Sequence, residues 1–255
     1  MTDIRLQNVT ASKAGKTVLE KVDLSLKKGE LVAIVGPNGA GKTSLLEATL
    51  GLLPLTDGSV QINHQNLTNI TRVALARLVA YLPQARPMAW PLRVFDTVAL
   101  GRFAWGASPG KLSDIDISII TATLQACEIG HLKERQTDQL SGGELARVHL
   151  ARTLAAQTPV LLADEPVNAL DPKHQLQIMS LLRQYAASGN SVLVVMHDLA
   201  LAARYADRMI WLKSGQILAE GPPRETLTAT HLEQIFEIDA EVTWQGDTPV
   251  ILPTS

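Results

Sequence analysis

The stretch LVAIVGPNGAGKTSLL, Leu31 to Leu46, leaves a folding chain few choices. The run Leu31–Val35 has no polar face to offer water, so the strand it forms must be covered on both sides, as in a parallel sheet. The glycines that follow permit backbone conformations in which successive N–H groups point into one concavity. Lys42 and Thr43 then open a helix whose first amides have no partner within it. Gly36, Pro37, Asn38, Gly39, Ala40, Gly41, Lys42, Thr43 and Ser44 fit the pattern G-x-x-x-x-G-K-[ST], in the strand–loop–helix setting that the pattern needs. Such a loop cradles the phosphates of a nucleoside triphosphate. Lys42 places a point charge on the β- and γ-phosphates, and the Thr43 hydroxyl can ligand Mg²⁺.

The rest of the chain repeats the theme. VLLAD and SVLVVM are further buried runs, with helical segments expected at 173–188 and 199–206. VALARLVA reads as a short helix leading into the strand VAYLP. Strands alternating with helices indicate an α/β fold with a mainly parallel sheet. The first thirty residues alternate loosely and read as a half-buried antiparallel hairpin. From Arg86 the character changes to an aromatic and proline-rich stretch, RPMAWPLRVFDTVALGRFAWGASPG. Residues 87–157 read as a mostly helical insertion, although helices covering the same sheet would give a similar pattern. Ser113 is expected to cap a helix with Asp116 three residues on, and Ile115, Ile119, Ala122 and Ala126 to form its apolar face. RMIWLKSGQILAEG is expected to be a hairpin turning at Ser214-Gly215. A short helix at 229–236 and a loose tail, 237–255, should end the chain.

Composition narrows the function. The formal net charge of −2 over 255 residues gives no basic excess for nucleic acid or an anionic membrane. A single cysteine, Cys127, excludes an intramolecular disulfide and disfavours a cysteine-based zinc site. No apolar run reaches the roughly 20 residues that span a bilayer, and MTDIRLQNVT lacks the features of a signal peptide.

Polar residues cluster at the ends of the buried strands, the edge where ligands of α/β sheets bind. Asp164 and Glu165 end VLLADE: the first suits Mg²⁺, the second suits activation of an attacking water. His197 follows SVLVVM, and Gln84 follows VAYLP. The stretch LSGGELARVHLAR, Leu140–Arg152, supplies a second helix start suited to an anion, expected near Glu144.

Taken in order, these residues resemble the ATP-binding subunit of an ABC transporter over about residues 3–236. The resemblance implies a P-loop NTPase (RecA-like) core with a mainly parallel sheet, an N-terminal antiparallel β subdomain and an inserted α-helical subdomain. It makes Gly36–Ser44 the Walker A loop, Gln84 the Q-loop, Leu140–Glu144 the signature and Val160–Asp164 Walker B. Glu165 becomes the catalytic carboxylate, Asp171 the D-loop aspartate and His197 the switch histidine. Lys42 and Gln84 join the catalytic set; Thr43, Gln84 and Asp164 are the expected Mg²⁺ ligands. It further implies a head-to-tail homodimer in which Ser141, Gly142 and Gly143 serve the ATP of the other subunit. Residues 74–102 and the tail LEQIFEIDAEV are similar to importers of ferric siderophores, haem and cobalamin. Their ATPases work at the cytoplasmic face of the inner membrane, on two permease copies and with a binding protein outside. An exporter ATPase and a soluble, non-transport ABC ATPase are the rival readings.

Three departures stand out. Residues 1–80 hold no Phe, Trp or Tyr, so the aromatic on which this family stacks adenine is missing, with Lys13 or Ala14 in its place. Weaker or less base-selective binding is expected. The signature ends in Glu144 rather than Gln, a change expected to lie away from the phosphate-facing atoms. Asn168 replaces a small hydroxyl residue before Asp171.

Overall fold

A computed structural model of the chain describes residues 4–84, 90–108, 110–168 and 170–254. The segment 85–89, where the proline-rich stretch was expected to begin, lies outside these residues. The chain divides into two compact units, 1–70 with 185–255, and 71–184.

The first leg of the first unit holds β1 (Ile4–Lys13), β2 (Lys16–Leu26), β3 (Leu31–Val35), α1 (Lys42–Thr49), β4 (Leu55–Ile62) and β5 (Gln65–Asn66). β1 pairs antiparallel with β2 on one side and β4 on the other. It buries Ile4 and Leu6, then Val9 and Ala11. That one-residue change of phase falls where Asn8 takes φ 49° and the register slips, a bulge that keeps apolar residues on one face.

The second unit holds α2 (Arg72–Leu78), β6 (Val79–Leu82), α3 (Val94–Ala99), α4 (Asp114–Ala126), α5 (Gly142–Ala155), β7 (Val160–Asp164) and most of α6 (Pro172–Ala187). β6 and β7 run parallel, with Leu82 opposite Ala163. Ser113 caps α4 through a capping box with Asp116, as the spacing predicts. The buried face of α4, however, is Asp116, Ile120 and Leu124, while Ile115 is 69% exposed and Ala122 and Ala126 lie outward. The expected apolar face is therefore corrected. The phase is set by an ion pair, Arg102 Nε to Asp116 Oδ1 at 2.9 Å, which draws an acidic residue inward. A hydropathy pattern ranks Asp116 as outward-facing because it cannot register the arginine that neutralises it.

The chain re-enters the first unit as β8 (Ser191–Val195), α7 (Leu199–Tyr205), β9 (Arg208–Lys213), β10 (Gln216–Gly221), α8 (Pro223–Thr226) and α9 (Ala229–Phe236). β3 lies between β8 and β9, parallel to both, and all its residues are fully buried. β9 and β10 form the expected hairpin, with Ser214 and Gly215 both at positive φ. The last residues are not a loose tail: β11 (Ala240–Gln245) and β12 (Thr248–Pro253) pair in a hairpin that packs on α7. The hairpin is written in the sequence: AEVTWQ alternates apolar and polar residues, and Gly246-Asp247 is a two-residue turn between the strands.

Candidate functional site

In the first unit the phosphate loop grows from the end of β3. Gly41 sits at φ 104°, and a Cβ there would lie 2.5 Å from the carbonyl oxygen of Val18, so no side chain fits. α1 starts directly after Gly41 without a side-chain cap, the kind of helix start that suits an anion. Lys42 is buried, and its ammonium donates to the carbonyls of Gly36 (2.7 Å) and Pro37 (3.0 Å). The loop thus holds a cation over its own backbone concavity before any phosphate arrives. Thr43 and Ser44 stand in the first turn of α1.

The parallel register brings a second residue to this edge. Ile34 of β3 pairs with Val195 of β8, so Gly36 and His197, each two residues further on, leave adjacent strands at the same end. His197 is exposed, and Asp198 after it caps α7 through a bond from the Leu201 amide.

In the second unit the same logic works on β6 and β7. Leu82 pairs with Ala163, so Gln84 and Glu165 also stand two residues past a pair. They meet: Gln84 Nε2 donates to Glu165 Oε2 at 2.6 Å. Asp164 is fully buried at the last position of β7, and Glu165 is 8% exposed in a left-handed turn, φ 49°. Asn168 Nδ2 donates to the same Oε2 at 3.0 Å, a contact the sequence reading did not find. Asp171 opens α6 and is exposed. The His174 amide donates to it, and its ring nitrogen lies 2.5 Å away. Those bonds, the backbone one foremost, hold the Asp171 carboxyl below its ordinary range.

The signature helix α5 begins at Gly142, two residues earlier than expected, with Ser141 as its cap. Gly142 is exposed, and a Cβ added to it would meet nothing within 4 Å. Packing within this chain does not require the glycine; the bare backbone leaves room for something outside it. Glu144 does not lie away from this point, which corrects the expectation. Its Oε2 accepts from the Ser141 amide (2.8 Å) and hydroxyl (2.9 Å), a capping box that the Ser-x-x-Glu spacing encodes. The Ser141 amide and then its hydroxyl keep the Glu144 carboxyl below its ordinary range.

Residues 19–168 match the ABC transporter family. A hemin import ATP-binding protein HmuV from Nocardia farcinica is 44% identical over 89% of this chain and 78% of its own length. The proteins of the same name from Thermobifida fusca and Pseudomonas aeruginosa are 40% and 39% identical over 97% and 94% of this chain, and 87% and 94% of their own lengths. Among solved structures, a metal-chelate type ABC transporter in an inward-facing conformation superposes with TM-score 0.84 at 22% identity, covering 100% of this chain and 98% of that one. A dimeric ATP-binding cassette in a post-hydrolysis state with ADP and Pi gives TM-score 0.75 at 31% identity, over 87% of this chain and 99% of that one. The strand-edge residues, the glycine-bared helix start and these likenesses lead to one conclusion: the chain belongs to the ABC transporter family, as an ATP-binding and ATP-hydrolysing subunit.

Proposed function

We propose that ATP hydrolysis by this subunit powers import of hemin or a related metal chelate, through a permease in the inner membrane. The observation that carries the reading is 39–44% identity, over nearly the whole chain, to subunits named for hemin import. Among the described residues no helix is long and apolar enough to cross a membrane, and on this reading a permease carries the cargo. Phe103 is 70% and Leu100 42% exposed on one short helical segment, and Trp90 is 66% exposed; such side chains would meet that permease. On this reading the subunit sits at the cytoplasmic face of the inner membrane as a homodimer. An extracytoplasmic binding protein delivers the cargo.

The roles follow from the chemistry of each group. Lys42 and the amides of Gly39, Gly41 and Thr43 bind the β- and γ-phosphates. Glu165 takes the proton of the attacking water. Gln84 and His197 hydrogen-bond at the γ-phosphate end. Ser141, Gly142 and Gly143 meet the partner subunit's ATP, and Asp171 acts at the subunit contact. The oxygens of Thr43, Gln84 and Asp164 suit Mg²⁺, a hard cation that keeps several waters and takes few protein ligands. Mg²⁺ supplies charge neutralisation on the phosphates when bound.

Three experiments test this. Glu165→Gln should abolish turnover and retain ATP binding; undiminished turnover would refute the general-base role. Deleting the gene in its native host should abolish growth on hemin as the iron source, and the tagged chain should copurify with a polytopic permease. Unimpaired growth on hemin overturns the cargo, and copurifying ribosomal proteins with no permease overturn transport.

A further inference from the structure

We infer that Asn168 is a positioning residue for the hydrolytic carboxylate, a role that rests on Glu165 being the general base. The argument starts from the turn after β7. Glu165 leaves the strand with φ 49°, and the Asn168 amide donates back to the Glu165 carbonyl at 3.3 Å. This tight turn brings the side chain of Asn168 over that of Glu165. A carboxylate only accepts hydrogen bonds, so the Asn168 amide must present its NH₂. It does so at 3.0 Å from Oε2, and Gln84 presents its own NH₂ to the same oxygen at 2.6 Å.

Two donors on one oxygen, arriving from different elements, fix the carboxylate plane as well as its position. A small hydroxyl side chain at 168 is shorter and cannot place an NH₂ there. Asn168 therefore does more than substitute at a subunit contact: it acts on the hydrolytic site of its own chain. The turn is held from a second side, since Gln175 Nε2 of α6 donates to the Val167 carbonyl. An orienting bond of this kind acts on the reacting geometry and leaves nucleotide affinity alone.

The test compares Asn168→Ala, Asn168→Asp and Asn168→Ser with the unaltered chain in steady-state hydrolysis at saturating Mg–ATP. Thermal unfolding checks each fold, and ATP-driven dimerisation is measured in a Glu165→Gln background. Asn168→Ala should lower kcat about 10- to 100-fold with KM unchanged. Asn168→Asp, which sets a second carboxylate on the first, should lower it further, and Asn168→Ser should lie between Ala and the unaltered chain. Adding Asn168→Ala to Glu165→Gln should change neither ATP affinity nor the dimer. A kcat within about twofold of the unaltered chain in the folded variants overturns the inference. So does loss of the ATP-driven dimer in the double variant, which assigns Asn168 to the subunit contact alone. Full turnover by Glu165→Gln overturns the general-base reading itself, and is distinguished from the other outcomes by that single control.

Discussion

Glu144 carries two opposed effects in one carboxylate. It closes the capping box on Ser141, where a negative charge favours the helix start, yet that start is the one proposed to meet the partner subunit's ATP. Glutamine keeps an acceptor for the cap and removes the charge. Glu144→Gln should therefore lower the unfolding midpoint slightly and tighten the ATP-driven dimer. A charge at a helix terminus is worth about 0.5–1 kcal/mol, roughly a two- to fivefold shift in the ATP needed for half-maximal association. Light scattering against ATP concentration in the Glu165→Gln background reads it, and an unchanged midpoint refutes it. Lys13 is a second such residue. It is turned toward α1, with Nζ 2.8 Å from Glu47, and offers no ring to a base. Stacking is worth about 1–3 kcal/mol, and without it ATP and GTP should bind with similar affinity. Titrations of both would decide, and an ATP preference above roughly tenfold, about 1.4 kcal/mol, would contradict this. The polar residues at the strand ends were legible in the sequence because each follows a buried run. The bonds of Asn168 and Glu144 were less so. The first depends on a turn geometry that residue type does not encode; the second follows from the Ser-x-x-Glu spacing, but only once Ser141 is known to be the cap.

At the level of the element, α4 shows how an inward charge overrides hydropathy. Asp116 and Arg102 have side chains only 11% and 8% exposed, and Arg102 also donates to the Ala155 carbonyl. Removing one partner leaves the other charge buried without its counter-ion, which costs about 3–5 kcal/mol. Asp116→Ala should destabilise the chain by that order in denaturant unfolding. The Ser113 hydroxyl, then Arg102, hold the Asp116 carboxyl below its ordinary value. Its stabilising contribution is thus complete above the unfolded value, near pH 4, and is lost as pH falls through the folded one. Asp116→Asn should flatten the loss of stability below about pH 4, seen as a shallower acid limb in thermal scans. The helix and its cap could be read from Ser113 and Asp116, because a capping box is a local pattern. Its buried face could not, because Arg102 lies on a different element.

For the molecule as a whole, the C-terminal hairpin is part of the folded first unit. Arg224 stands 4.6 Å over the ring of Trp244, and the Thr254 amide closes the hairpin onto the Asp239 carbonyl at 2.9 Å. Truncation after Asp239 should lower the unfolding midpoint by about 5 °C, on the scale at which 1 kcal/mol moves a chain of this size by roughly 2–4 °C. An unmoved midpoint would return these residues to the status of a tail. The chain also contains one thiol, at Cys127, which is 2% exposed and pushed by burial up to about 12. Alkylation requires the thiolate and an open path to it, and this residue offers little of either at neutral pH. The unaltered sequence is therefore already a silent background for spectroscopy. One cysteine introduced on an exposed turn can take a spin label or fluorophore alone, and two identically labelled subunits would report their own approach as nucleotide is added.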